Sequence, residues 1–291
     1  MKILVLGANG QLGRCLADEL YDTDYEVFLA SKAEIDISNL TNTKSKIIKF
    51  APNVVINAGA YTAVDKAESD EETAYLINHK AVANIASVCH AIDCILIHVS
   101  TDYVFDGLSK ISYKEDAITN PMSVYGKSKL KGEIAIKDSG CRYLIIRTAW
   151  VFSKYGNNFF KTMMRIGTQK QELKIVGDQR GCPSYAPDIA KAILSTLKSP
   201  RLKNIREIYH YAGDYACTWA EFSKFIFDAA WAADKLIFKP KIISINSKEY
   251  PTPAARPLNS MLDSSKFESH FGYMASSWQS GIKKLIAEWN K

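Results

Sequence analysis

Short runs of consecutive apolar residues alternate with longer amphipathic segments from the first residue to about residue 212. The runs at Lys2–Leu6, Glu26–Ala30, Asn53–Asn57, Cys94–Ser100, Tyr143–Arg147 and Glu207–Tyr211 read as strands. Stretches such as Val54-Val55-Ile56 and Ile95-Leu96-Ile97 do not alternate with polar residues, which is how strands covered on both faces look. The segments between them, Gln11–Tyr21, Leu40–Phe50, Glu71–His90, Ser123–Lys137 and Pro187–Leu197, have helical length and one apolar face. This alternation predicts an α/β fold: a doubly wound parallel sheet with helices on each side.

The rhythm changes near Trp150. Asn157–Ile166, Thr218–Ala230 and Trp278–Trp289 predict helices, but the stretch 250–257 carries Pro251, Pro253 and Pro257 and is expected to be irregular. The sequence therefore divides into a dinucleotide-binding unit, 1–152 with 170–215, and a smaller C-terminal substrate lobe, 153–169 with 216–291.

Composition narrows the classes. Among 291 residues, 37 Lys and Arg against 31 Asp and Glu leave a net charge of +6. The basic residues are scattered, which argues against nucleic acid or an anionic membrane as partner and would suit a diphosphate-bearing small molecule. No apolar run approaches the ~20 residues of a membrane span. The four-residue apolar run at the N-terminus is too short for an export signal. Cys15, Cys89, Cys94, Cys141, Cys182 and Cys217 show neither C-x-x-C nor zinc spacing, so packed, reduced thiols in a cytoplasmic protein without a metal site are expected.

Three motifs carry chemistry. Gly7-Ala8-Asn9-Gly10-Gln11-Leu12-Gly13 follows the first strand and opens the first helix. Glycines there permit a tight turn and let backbone N–H groups reach a pyrophosphate at the helix N-terminus. Tyr125-Gly126-Lys127-Ser128-Lys129 puts a phenol and an ammonium one helical turn apart on a single face. A nearby cation favours the phenolate, and such a tyrosine can exchange a proton with a substrate oxygen. Ser100-Thr101-Asp102-Tyr103 lies at the C-terminal end of the fourth strand, where open α/β sheets bind ligands. Elsewhere the plainer reading prevails. His98 reads as a satisfied core residue, and Trp219, Trp231, Trp278 and Trp289 as helix anchors.

Glycine turn, strand-end Ser/Thr and Tyr-x-x-x-Lys occur in the order found in extended short-chain dehydrogenase/reductases, a Rossmann-like superfamily. The stretches Asn57–Glu68, Ser100–Phe105, Arg147–Trp150, Gly156–Phe159, Lys161–Met163 and Pro251–Pro257 with Asn259-Ser260 more closely resemble the dTDP-4-dehydrorhamnose reductase family. That resemblance implies hydride transfer from a nicotinamide cofactor to C4 of a dTDP-linked 4-keto-6-deoxysugar, giving dTDP-L-rhamnose for cell-surface polysaccharide. It implies Tyr125 as proton donor, Lys129 as its partner and ribose contact, and Thr101 as hydrogen-bond partner of the reacting oxygen. Gly7, Gly10, Gln11, Leu12 and Gly13 would cradle the pyrophosphate; Asp36 and Ile37 would line the adenine site. Ala60, Tyr61, Thr62 and Val99 would flank the rest of the cofactor. Asp102, Tyr103, Trp150 and Asn158 would surround the sugar. Asn78 is a candidate support for the catalytic group. Arg256 would contact substrate phosphate or, equally, bridge the two lobes.

Two departures from the family pattern matter. Cys15 stands where relatives that dimerise through magnesium carry a glutamate; a neutral thiol is a poor ligand for that cation, so no structural magnesium is expected and homodimerisation is left open. Ser31-Lys32 stands where an acid would bind the ribose 2′-hydroxyl, which predicts NADPH over NADH by a modest factor, with Glu34 or Asp36 able to reverse the preference. Two rival functions are a nucleotide-sugar epimerase or dehydratase on the same scaffold and a non-catalytic regulatory subunit like that of methionine adenosyltransferase. Tyr103, where a dehydratase would need a second acid, weighs against the first.

Overall fold

The computed structural model describes residues 1–289. Six parallel strands form the central sheet: β1 (Lys2–Leu6), β2 (Glu26–Ala30), β3 (Val54–Asn57), β4 (Ile95–Thr101), β5 (Arg142–Thr148) and β6 (Arg206–His210). Their order across the sheet is β6-β5-β4-β3-β1-β2. The chain order reverses between β1 and β3, and the crevice beyond their carboxyl ends is where such sheets hold ligands.

Both faces of the sheet are covered, as the apolar runs demand. Ile3 and Val5 of β1 pack under helices α1 (Gln11–Leu20) and α6 (Ala186–Leu197). Leu4 and Leu6 pack on the other side, among residues of α2 (Leu40–Phe50), α3 (residues 71–91) and α4 (Val124–Asp138). Successive strand residues point to opposite faces, so a run with no polar break fills two cores at once. All six cysteines are free and buried.

The segment Glu71–His90 is helical but not uniform. Glu71–Tyr75 runs into a π turn at Leu76–Lys80 and continues as Ala81–Ala91; together these are α3. The π turn carries Asn78, fully buried. Gly132 of α4 lies against it, and a Cβ there would stand 2.2 Å from the Asn78 carbonyl oxygen.

The smaller lobe has its own aromatic core. Phe160 and Met163 of α5 (Phe159–Gly167), Phe222 and Phe227 of α7 (Trp219–Ala232), and Trp278 and Ile282 of α9 (Trp278–Ala287) pack together. A seventh strand-like stretch, Glu172–Val176, pairs in parallel with Lys241–Ile245. The sequence division set 172–176 with the nucleotide-binding unit, yet its hydrogen bonds go to the smaller lobe. Helix α8 (Ser265–Phe271) returns to the large sheet, where Phe267 packs on Tyr209 and Tyr211. The loop 250–257 is irregular and follows a single 3-10 turn at Ser247–Glu249.

Among the described residues no helix is long and apolar enough to cross a membrane.

Candidate active site

A cavity of about 690 Å³ opens at the carboxyl ends of β1, β3 and β4. Pockets of that size suit a small-molecule ligand or cofactor. Its floor is backbone. Gly7 follows β1 with φ +77, a conformation that favours glycine, and a Cβ on it would stand 2.7 Å from Gly59 after β3. Gly10 ends the turn as the N-cap of α1 with no side chain capping it, so the first amides of the helix remain free to bind an anion. Gln11 and Leu12 continue the lining. Gly13 does not reach the cavity; a Cβ there would lie 2.2 Å from the Gly7 carbonyl, so its smallness lets α1 sit down on β1.

Farther along, Lys32, Ile35, Asp36, Ile37, Ala60, Thr62 and Val99 line the same space. Ser31 does not: its hydroxyl and amide both donate to the Glu34 carboxylate. Lys32 is exposed and pairs loosely with Asp36 at 3.6 Å. Tyr61 also turns away, donating its hydroxyl to Asp70, while Asn78 holds its backbone by accepting from the Tyr61 N–H and donating to its carbonyl. The same Asn78 amide donates to Ser128 of α4. A buried amide thus fastens the β3 loop to the helix bearing Tyr125.

Thr101, Tyr125 and Lys129 meet at the cavity wall, all three buried. Gly126 makes this approach possible, because a Cβ there would stand 2.2 Å from the Tyr103 carbonyl oxygen. Glu133, two turns after Tyr125, anchors the helix from below: it accepts from Ser100 at 2.5 Å and from Arg147 at 2.7 Å. Lys129 Nζ donates to the Val99 carbonyl at 2.7 Å and lies 3.3 Å from His98 Nε2. Burial pulls the Lys129 ammonium down to about 8, against the opposing charge of Glu133. Burial also pushes the Tyr125 phenol above its ordinary value, with Thr101 lowering it and Asp102 and Tyr103 raising it. The cation-driven lowering expected from Lys129 is therefore not what prevails; desolvation dominates, and the lysine is engaged with β4.

Beyond Tyr125 the wall becomes polar and aromatic. The Asp102 carboxyl is buried and pushed up to about 7, chiefly by burial. One oxygen accepts from the Thr101 hydroxyl at 2.9 Å; the other has no partner. Thr148, which the motif reading passed over, also lines the cavity with an unpartnered hydroxyl oxygen. Trp150, at φ +48, stacks on Trp219 with ring centroids 3.4 Å apart and planes 4° apart. Its indole N–H donates to Ser260, and Trp219 donates to Gln179. Trp219 is thus more than the helix anchor expected of it.

Two residues expected at the substrate, Asn158 and Arg256, have partners within the protein. Asn158 caps α5 by accepting from the Lys161 amide and donates to Gln11 Oε1, Ser153 O and Tyr155 O. Its amide is fully occupied, and the neighbouring Asn157 lines the cavity instead. Arg256 bridges the lobes, donating to Asp65 at 2.6 Å and to the Tyr103 hydroxyl at 3.0 Å. Cys15 faces the core, its thiol pushed up to about 12 by burial. Among the described residues no His, Cys, Asp or Glu cluster is arranged to hold a metal ion.

The family model "RmlD substrate binding domain" matches residues 1–291. The chain belongs to that family. A dTDP-4-dehydrorhamnose reductase of Aggregatibacter actinomycetemcomitans is 41% identical over 289 residues, covering 98% of each chain. The crystal structure of a dTDP-4-dehydrorhamnose reductase from Clostridium acetobutylicum superposes with a TM-score of 0.92 at 36% identity, covering 99% of both chains. A Bacillus anthracis dTDP-4-dehydrorhamnose reductase, solved in complex with NADP, gives 0.89 at 33% identity over 99% of both.

Proposed function

We propose that this protein reduces the C4 ketone of dTDP-4-dehydro-L-rhamnose to give dTDP-L-rhamnose, using NADPH. The observation that carries the reading is the meeting of Thr101, Tyr125 and Lys129 in one cavity with the glycine turn, in a chain of this family. The residues present fit the cofactor: Gly7, Gly10 and Gly59 line the cavity floor without side chains, and the uncapped start of α1 offers amides to its pyrophosphate. When bound, the reduced nicotinamide supplies the hydride to the ketone carbon.

The side chains manage the proton. Tyr125, held protonated by burial, delivers its phenolic hydrogen to the oxygen that gains charge at C4. Thr101 shares that oxygen and keeps the phenol aimed. Lys129 holds the cofactor ribose and returns a proton to Tyr125 after each turnover. Asp102 and Thr148 offer two buried acceptors without partners, which suits sugar hydroxyls as donors. Trp150 forms the flat wall on which the sugar ring rests. Arg256 holds the Tyr103 hydroxyl, so no second acid stands beside Asp102 to support a dehydratase.

Cofactor choice rests on Lys32 alone. Ser31 is committed to Glu34, whereas the exposed Lys32 can leave Asp36 for a 2′-phosphate. A modest NADPH preference follows. Cys15, buried and protonated, offers nothing to a magnesium ion at a subunit boundary. The experiment is direct: mix the protein with NADPH and dTDP-4-dehydro-L-rhamnose and follow the reduced-nicotinamide absorbance. A fall that depends on the sugar supports the reading. Sugar turnover without net NADPH loss, or no turnover with any 4-keto sugar, overturns it.

A further inference from the structure

Behind the catalytic lysine lies a chain of polar groups with a fixed direction. Asn57 of β3 and His98 of β4 are paired in register. Asn57 Oδ1 accepts the Gly59 N–H at 3.1 Å, and Asn57 Nδ2 lies 3.1 Å from His98 Nδ1. Turning the amide over would set its NH₂ against the Gly59 N–H, donor against donor. The amide nitrogen therefore donates to His98 Nδ1. A neutral imidazole carries one proton, and if Nδ1 accepts, that proton sits on Nε2. His98 is fully buried, and burial with the adjacent Lys129 holds it well below its ordinary value, so it stays neutral. Its Nε2 lies 3.3 Å from Lys129 Nζ.

An ammonium has three hydrogens and no lone pair, so it would face this N–H as a second donor. A neutral amine has a lone pair to accept it. We infer that His98 is a positioning residue for Lys129: its Nε2–H, fixed by the relay from Gly59 through Asn57, faces the amine and favours its neutral form over the ammonium. The charged and titratable groups around the pair are few. Lys129 faces His98 from β4 and, on its own helix, Tyr125 one turn before it and Glu133 one turn after it, the last already paired with Arg147 of β5. His98 faces Lys129 and the neutral Asn57.

The inference rests on the reductase reading for its consequence. After Tyr125 gives its proton to the sugar oxygen, the phenolate takes one from the Lys129 ammonium, leaving a neutral amine that solvent recharges. A lysine whose neutral form is supported by His98 releases that proton readily; an ammonium held by carboxylates alone would retain it. Activity falls at high pH as the ammonium, which burial pulls down to about 8, is lost.

Two measurements test this. In the wild type, ¹⁵N NMR of the histidine rings, with the His98 signals assigned by their loss in His98→Asn, reads the tautomer without substrate. The expected result is a neutral ring protonated on Nε2 from pH 6 to 8.5. Protonation on Nδ1, or on both nitrogens, overturns the inference. In Asn57→Asp the carboxylate keeps the Gly59 contact but can only accept from Nδ1, so the ring proton moves there and Nε2 becomes an acceptor for the ammonium. The basic limb of the kcat profile then moves up by about one pH unit or more. A limb that stays or falls while the tautomer flips overturns the inference. If the wild type fails to reduce the keto sugar, the reductase reading fails, and the tautomer measurement still decides the role of His98.

Discussion

The two halves of the cavity are built by different means. The half beyond β1 and β3 is made of backbone: Gly7, Gly10 and Gly59 bring main chains together, and the start of α1 presents amides. The half beyond β4 and β5 is made of buried side chains held by partners far away in sequence. Trp150 leans on Trp219 and Ser260, Tyr103 is held by Arg256, and Lys129 lies against His98. Backbone geometry depends on a few adjacent glycines and tolerates little. A side-chain wall can be retuned one partner at a time, which suits a fold that hosts many functions.

The deepest cut in the second half is Tyr125→Phe. It removes the proton and little volume, and should lower kcat by about 10²–10⁴ while the cofactor Kd changes by less than about twofold. Fluorescence titration with NADPH beside steady-state kinetics separates the two effects. Retention of more than a tenth of the wild-type kcat, with the chemical step limiting, would remove Tyr125 as the acid.

The next effect is on stability. The Asp102 carboxyl, 3.8 in a free chain, stands at about 7 here, so the folded state binds its proton more tightly than the unfolded chain does. The stabilisation is full below about 3.8 and is lost as pH rises toward about 7, with a slope approaching ~1.4 kcal/mol per pH unit between them. Asp102→Asn removes that slope, and the variant should melt above the wild type at pH 8 when both are ligand-free. Equal slopes of Tm against pH in the two proteins would show that Asp102 ionises as freely folded as unfolded.

In the backbone half, Gly13→Ala pushes a methyl toward the Gly7 carbonyl and should cost about 1–3 kcal/mol, as overpacking does. Because the strain falls on the turn itself, NADPH affinity should fall with Tm. A drop in Tm with unchanged affinity would separate helix seating from cofactor binding.

Smaller shifts follow at the edges of both halves. Trp219→Ala leaves the Trp150 ring without its stacked support and should raise sugar KM about tenfold at nearly constant kcat, with Trp219→Phe recovering most of the loss. A fall in kcat without a rise in KM would place Trp219 outside sugar positioning. Lys32→Ala should reduce the NADPH-over-NADH ratio of kcat/KM by about fivefold, the equivalent of ~1 kcal/mol for an exposed charge pair. Added salt should shrink the wild-type ratio in the same direction. An unchanged ratio would take Lys32 out of cofactor choice.

The same contrast explains what the sequence made legible. The sheet, its parallel sense and the glycine turn depend on local patterns: an unbroken apolar run such as Val54-Val55-Ile56 needs two covered faces wherever it occurs. Thr101, Tyr125 and Lys129 were findable because short motifs mark them. The fittings of the sugar half were not, because their partners lie far off in sequence, Trp150 and Trp219 in different elements and Arg256 across the chain from Asp65. Asn157 was displaced by its neighbour Asn158 because a single step around a helix start separates the residue that caps from the one that faces the cavity. Ser31 is hidden from the sequence for a similar reason: Glu34, three residues on, claims its hydroxyl. The short strands at 172–176 and 241–245 lie far apart in the sequence, so nothing local marks them as partners. His98 illustrates the remaining difficulty, since a histidine in an apolar strand looks like filler until the direction of its neighbours' hydrogen bonds is known.

Both halves of the cavity must act on one sugar carbon, and deuterium transfer reads that most directly. Reaction of dTDP-4-dehydro-L-rhamnose with NADPH deuterated at the transferring C4 position should give a product carrying one deuterium at sugar C4, with one NADPH consumed per molecule formed. Product without deuterium at C4, or sugar converted while NADPH is untouched, would contradict the account.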